Sequence, residues 1–126
     1  MAGSMLLALA LMSGADTPMA LVCRVEGGGK SGLDDHAVCA RFAEGLSAAS
    51  GRSYRLVPAA ARIDNGMTVV VRFMGRDTVA AEASVVMAGR AQPLETRMVS
   101  TSDRALGLDS IALLARDVVR AMNPAG

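Results

Sequence analysis

Apolar and polar residues change their period several times along the chain, and each change marks an element. Residues 5–12, Met-Leu-Leu-Ala-Leu-Ala-Leu-Met, form one continuous apolar run. The segment Leu21-Val22-Cys23-Arg24-Val25 alternates, with Leu21, Cys23 and Val25 on one face, and predicts a short strand. Gly27-Gly28-Gly29 breaks it. Over residues 34–49 the period becomes helical: Cys39, Phe42, Ala43 and Leu46 fall at i, i+3, i+4 and i+7, the stripe of a helix lying on a sheet. Ser31 or Asp34 supplies the N-cap, and Gly51 ends the helix.

Beyond Gly51 the alternation returns. Residues 54–63 predict a strand, with Pro58 marking an edge or a bend. Asn65-Gly66 predicts a two-residue hairpin turn, because both central positions of a type I′ turn need positive φ. Residues 67–74 set Met67, Val69, Val71 and Phe73 against Thr68, Val70, Arg72 and Met74. Gly75-Arg76-Asp77 predicts a three-residue turn into residues 78–87, where Val79, Ala81, Ala83, Val85 and Met87 share a face. Such a turn sets Phe73 opposite Val79, Val71 opposite Ala81 and Val69 opposite Ala83, so the apolar faces coincide. A turn near Gly89 leads to a strand over 94–101. A second amphipathic helix, 109–122, carries Ile111, Leu114, Ala115, Val118 and Met122, and Asn123-Pro124 stops it.

These elements predict an α+β fold. The expected arrangement is a two-layer sandwich, in which two helices cover one face of a mostly antiparallel sheet of four to five strands (β-α-β-β-β-β-α). A right-handed crossover is expected to join the first strand and helix to that sheet. In element order, residues 20–122 resemble the small envelope domains of the TolB N-terminal type. The resemblance is one of architecture and brings no residue roles with it.

The apolar run is too short to span a bilayer, which takes about 20 residues. Small residues, Ser13-Gly14-Ala15, follow it. Residues 1–15, or 1–20 with a cut after Ala20, therefore read as a cleaved export signal ahead of a single domain over 20–123. Met1-Ala2-Gly3-Ser4 lacks the basic residue usual in such signals, and Val22 before Cys23 argues against a lipoprotein. The expected location is periplasmic or secreted, with no transmembrane segment once the signal is removed. In an oxidising compartment, Cys23 and Cys39 can pair. Strand parity and helix phase put them on facing apolar surfaces, so a Cys23–Cys39 disulfide is expected.

Composition narrows the chemistry. The formal net charge is +1, and no basic cluster provides a nucleic-acid footprint. With no Trp, one Tyr and two Phe, the core falls to Val, Leu, Ala and Met, and little surface is left for stacking on sugars or bases. Gly27-Gly28-Gly29-Lys30-Ser31 ends like a phosphate-binding loop, but the Gly required five residues before Gly29 is Arg24, so no nucleotide is expected. Asp35, His36 and Cys39 fall within one helical turn, with Cys23 upstream, as zinc or copper ligands or a Cys–His nucleophilic pair could. His36 is the only His, and a disulfide-bonded Cys39 offers no thiolate. The scattered methionines read as core filling. No cofactor, no metal and no catalytic constellation is expected.

What remains is the sheet face without helices. Arg72, Glu82 and Arg97 are expected there, with Val70, Met74, Val86 and Val99 between them. A mixed face of this kind predicts a non-enzymatic binding module, its partner another envelope protein or a second copy. The alternative is a thiol-redox or metal-binding protein acting through Cys23, His36 and Cys39.

Overall fold

The computed structural model describes residues 17–28 and 32–122. The apolar run at 5–12, Ser13-Gly14-Ala15, Gly29-Lys30-Ser31 and Asn123-Pro124 lie outside the described residues. Eight elements follow in order: β1 (Met19–Glu26), α1 (Asp35–Ser50), β2 (Tyr54–Val57), β3 (Gly66–Phe73), β4 (Thr78–Met87), β5 (Arg90–Pro93), β6 (Arg97–Ser100) and α2 (Leu108–Met122). The fold is α+β, an open mixed sheet with both helices packed on one face. The sheet runs β2-β1-β3-β4-β5, and β6 joins β4 on the same side as β5.

Both helices form where the apolar period and the end signals agree. Asp34 caps α1, its carboxylate accepting from the Ala37 N–H at 3.0 Å. Gly51, at φ 76°, closes it by donating its N–H to the Ser47 carbonyl. Cys39, Phe42, Ala43 and Leu46 are all buried, as are Ile111, Leu114, Ala115 and Val118 of α2. All but Cys39 meet Leu21 of β1, Met67, Val69, Val71 and Phe73 of β3, and Val79, Ala81 and Ala83 of β4 in one core. Gly45 lets the helices approach: a Cβ there would lie 2.8 Å from that of Ala115.

The predicted pairing of β3 with β4 holds residue for residue, with Phe73 opposite Val79, Val71 opposite Ala81 and Val69 opposite Ala83. The Met74 N–H donates to the Thr78 carbonyl across the three-residue turn. β1 is parallel to both neighbours, β2 and β3, while the three pairings among β3, β4, β5 and β6 are antiparallel, so the sheet is mixed. Two local expectations fail. The strand expected over 54–63 stops at Val57, where Pro58 removes a ladder donor.

Asn65-Gly66 makes no hairpin, since β2 and β3 lie on opposite sides of β1 and run the same way. Gly66 instead lets two backbones meet: it pairs with Ala20 at φ 148°, and a Cβ there would collide with the Ala20 carbonyl. The two-residue turn is Ala88-Gly89, both at positive φ, joining β4 to β5. Asp64 and Asn65 brace it, accepting from the Gly89 N–H at 3.0 Å and the Ala88 N–H at 3.2 Å.

The strand expected over 94–101 is confined to β6, and β5, which follows the Ala88-Gly89 turn and was not expected, brings the count among the described residues to six. β5 and β6 both pair with β4, but the register advances by one residue between them. Ser84 opposes Pro93 in β5, whereas Ala81 opposes Arg97 in β6. One extra residue inverts which side chains face inward.

Cys23 and Cys39 form the expected disulfide, with Cα atoms 5.9 Å apart, tying β1 to α1. Closing a loop of 16 residues in this way stabilises the fold by about 3 kcal/mol in the chain-entropy model. The Cys23→Ala/Cys39→Ala double variant is expected to lose about that much in urea unfolding while keeping its circular dichroism; an unchanged midpoint would contradict the staple. Gly66→Ala is expected to cost about 2–3 kcal/mol through its backbone clash, against about 1 kcal/mol for Gly75→Ala. Gly75 is the comparison because it shares positive φ, at 95°, while a Cβ added to it would meet no atom within 4 Å. Equal losses in the two variants would show that conformation alone matters.

Candidate functional site

The register decides which side chains leave the sheet on its helix-free face. Val22, Arg24 and Glu26 of β1 stand there, in line with Thr68, Val70 and Arg72 of β3. Ala80, Glu82, Ser84 and Val86 of β4 follow, with Met98 of β6 beside Ala80. Met74, just past β3, shares the parity of Arg72.

Arg72 organises the charges on this face. Its Nε donates to Glu26 at 3.0 Å and its Nη1 to Glu82 at 2.9 Å. Glu26 is its direct cross-strand partner, while Glu82, opposite Val70, reaches it along the diagonal. The hydrogen bond to Glu26 foremost, then the charge of Glu82, holds the guanidinium pKa above its ordinary value. All three side chains remain partly open to water, so the cluster adds little to stability. Its consequence is that the charges in the middle of the face are already paired within the chain, one guanidinium holding two carboxylates.

Around this triad the apolar groups differ in exposure. Met74 and Met98 are 51% and 52% exposed, and Val70 is half-buried. Val86 lies on the same face but is buried, beside residues 61–64 of the β2–β3 connection, which share a depression with Thr68, Val86 and Ala91. Among the described residues, the free apolar surface of this face is therefore Val70, Met74 and Met98.

Two residues expected on this face are elsewhere. Val99 opposes Val79 and packs against the core under α2, and Arg97 opposes Ala81 on the same helix side. The cause is the register step between β5 and β6: had the β5 register continued, Arg97 would oppose Ala80 on the outer face. Arg97 keeps its guanidinium 3.8 Å from Glu95, and its Nε is buried without a hydrogen-bond partner. Met98 takes the outer position instead. The methionines also depart from core filling, since Met67 is buried but Met74, Met87 and Met98 are exposed.

The other candidate cluster lies where β1, the end of β2 and the start of α1 meet. Arg24, Asp35, His36 and Leu56 line an open cleft beside the Cys23–Cys39 disulfide. With both sulfurs bonded to each other, neither serves as thiolate ligand or nucleophile. Among the described residues, no group of three or more His, Cys, Asp or Glu side chains is placed to hold a metal ion. Among them, too, no helix is long and apolar enough to cross a membrane.

The two edges of the sheet are blunted. At β2 the Ser47 hydroxyl captures the Tyr54 N–H at 3.0 Å. At β5 the Leu94 N–H points inward to the Ala83 carbonyl, so Pro93 faces the open edge and has no donor to offer. The helix-free face is thus a better binding surface than either edge.

No family model matches the chain, and no curated protein matches it. Solved structures do share its architecture. A single-substitution variant of the PelC dodecamer from Paraburkholderia phytofirmans aligns over 86% of this chain and 86% of its own, with a TM-score of 0.62 at 12% identity. The PelC dodecamer from the same organism aligns over 83% of this chain and 86% of its own, with a TM-score of 0.58 at 17% identity. At these identities the likeness is one of fold.

Proposed function

We propose that this protein is an exported, non-enzymatic subunit of a homo-oligomer in the cell envelope, assembled through the helix-free face of its sheet. The observation that carries this reading is the combination of exposed Met74 and Met98 with half-buried Val70 around the Glu26–Arg72–Glu82 cluster. Apolar side chains supply the driving force for association. Charges already paired within the subunit cost less to desolvate than isolated ones. The similar PelC structures are dodecamers, which supports self-association as the use of the face.

Export is supported by the Cys23–Cys39 disulfide, since such bonds persist in oxidising compartments. Of the two candidate cleavage sites, the one after Ala15 fits the fold better. A cut after Ala20 would remove Met19 and Ala20, which pair with Tyr54, Arg55 and Gly66.

Light scattering during size-exclusion chromatography of the chain cut after Ala15 tests the reading. The expected result is a defined species of several copies. Val70→Asp, placed opposite Glu82, is expected to weaken association about ten-fold or more with unchanged circular dichroism. A monomer at every concentration up to about 100 μM would overturn the proposal.

A further inference from the structure

Among the described residues, the end of the sandwich far from the disulfide is open, and Val70, Met74 and Met98 of the proposed assembly face take no part in it. The two layers part where β1 begins and where α1 and α2 finish. Met19 and Tyr54, paired at the start of β1 and β2, line a cavity there with Val85 of β4 and Met122 of α2. Its volume, about 530 Å³, lies within the range of small-molecule sites. Tyr54, Val85 and Met122 are half-buried against the core, so the walls are apolar and continuous with it.

The polar side chains lining this cavity are Ser50, Arg52, Tyr54 and Asn65. Among the described residues, Arg52 and Tyr54 are the only ionisable side chains lining it. Arg52 follows the end of α1, where its backbone N–H donates to the Ser50 hydroxyl, and its guanidinium has no acidic partner among the described residues. Burial pushes the Tyr54 phenol above its ordinary pKa, and the Arg52 charge opposes that shift. Both side chains line the same cavity. The phenol stays protonated at neutral pH, available as a hydrogen-bond donor.

We infer that this cavity binds a free, single-chain amphiphile with an anionic head, of the class of long-chain carboxylates. The tail lies along Met19, Val85 and Met122, whose two unbranched thioether side chains can adapt to a flexible chain. The carboxylate meets the Arg52 guanidinium, which matches it in a two-pronged fashion, and the Tyr54 hydroxyl. Tail and head demand opposite properties of the site, and the cavity supplies them at separate places.

Tyr54 is the only tyrosine, and the chain has no tryptophan, so tyrosine emission comes from this cavity alone. The test titrates the chain cut after Ala15 with dodecanoate below its micellar concentration, followed by tyrosine fluorescence and by calorimetry. Hexanoate and dodecyltrimethylammonium serve as parallel probes. Saturable binding of one dodecanoate per chain with a change in Tyr54 emission is expected, with hexanoate and the cationic probe binding far more weakly. Arg52→Gln, at an exposed site outside the core, is expected to weaken dodecanoate about ten-fold and leave the melting curve unchanged. Val85→Phe and, independently, Met122→Phe fill the cavity and are expected to abolish binding. Absence of saturation, equal affinity for the cationic probe, or an unchanged affinity in Arg52→Gln would each overturn the assignment. None of these outcomes depends on the oligomeric state.

Discussion

The architecture depends on β1 standing between two strands that both run parallel to it. Parallel neighbours cannot be joined by a tight turn, so each connection must travel back along the strand direction. The first does so as α1, on the face that becomes the core. The second, residues 58–65, must step the other way across β1. A connection of the same hand that steps in the opposite direction runs over the opposite face. Residues 61–64 do lie against that face, beside Thr68, Val86 and Ala91. Among the described residues, one face thus receives two helices and the other only a short strip of chain. The exposed Met74 and Met98 are consequences of that unequal cover.

Much of this was legible in the residue pattern, and the failures have physical reasons. The stripes of α1 and α2, their caps and the β3–β4 register all follow from local period and turn length, which are written in neighbouring residues. The disulfide was legible because strand parity and helix phase together decide where Cys23 and Cys39 point. Strand order was not, since a strand carries no mark of whether its neighbour comes from the next segment or from one forty residues away. The local hairpin signal of Asn65-Gly66 lost to that long-range pairing, and its glycine is used for close approach to Ala20.

The candidate face shows how small such an error can be. Val70, Arg72, Met74 and Glu82 are on the helix-free side as their parity requires. Arg97 and Val99 are not, because one additional residue between β5 and β6 exchanges the two faces of β6. Alternation alone does not reveal such a step. The end cavity was missed for a different reason: Met19, Tyr54, Val85 and Met122 come from four separate elements and share no motif. Its signal, an Arg two residues from the only tyrosine, acquires meaning once the layers are seen to part there.

The two proposed binding places follow from the same geometry. The central strand leaves a sheet face thinly covered, and the helix layer ends where β1 begins, opening the cavity. Residue-resolved amide hydrogen exchange of the chain cut after Ala15 tests the central position of β1 most directly. The slowest exchange is expected at the amides of β1 and its partner β3, with Ala91 and Met98, whose N–H groups face the open edge, exchanging far faster. Exchange at the β1 amides as fast as at Ala91 would make β1 an edge strand and contradict the arrangement.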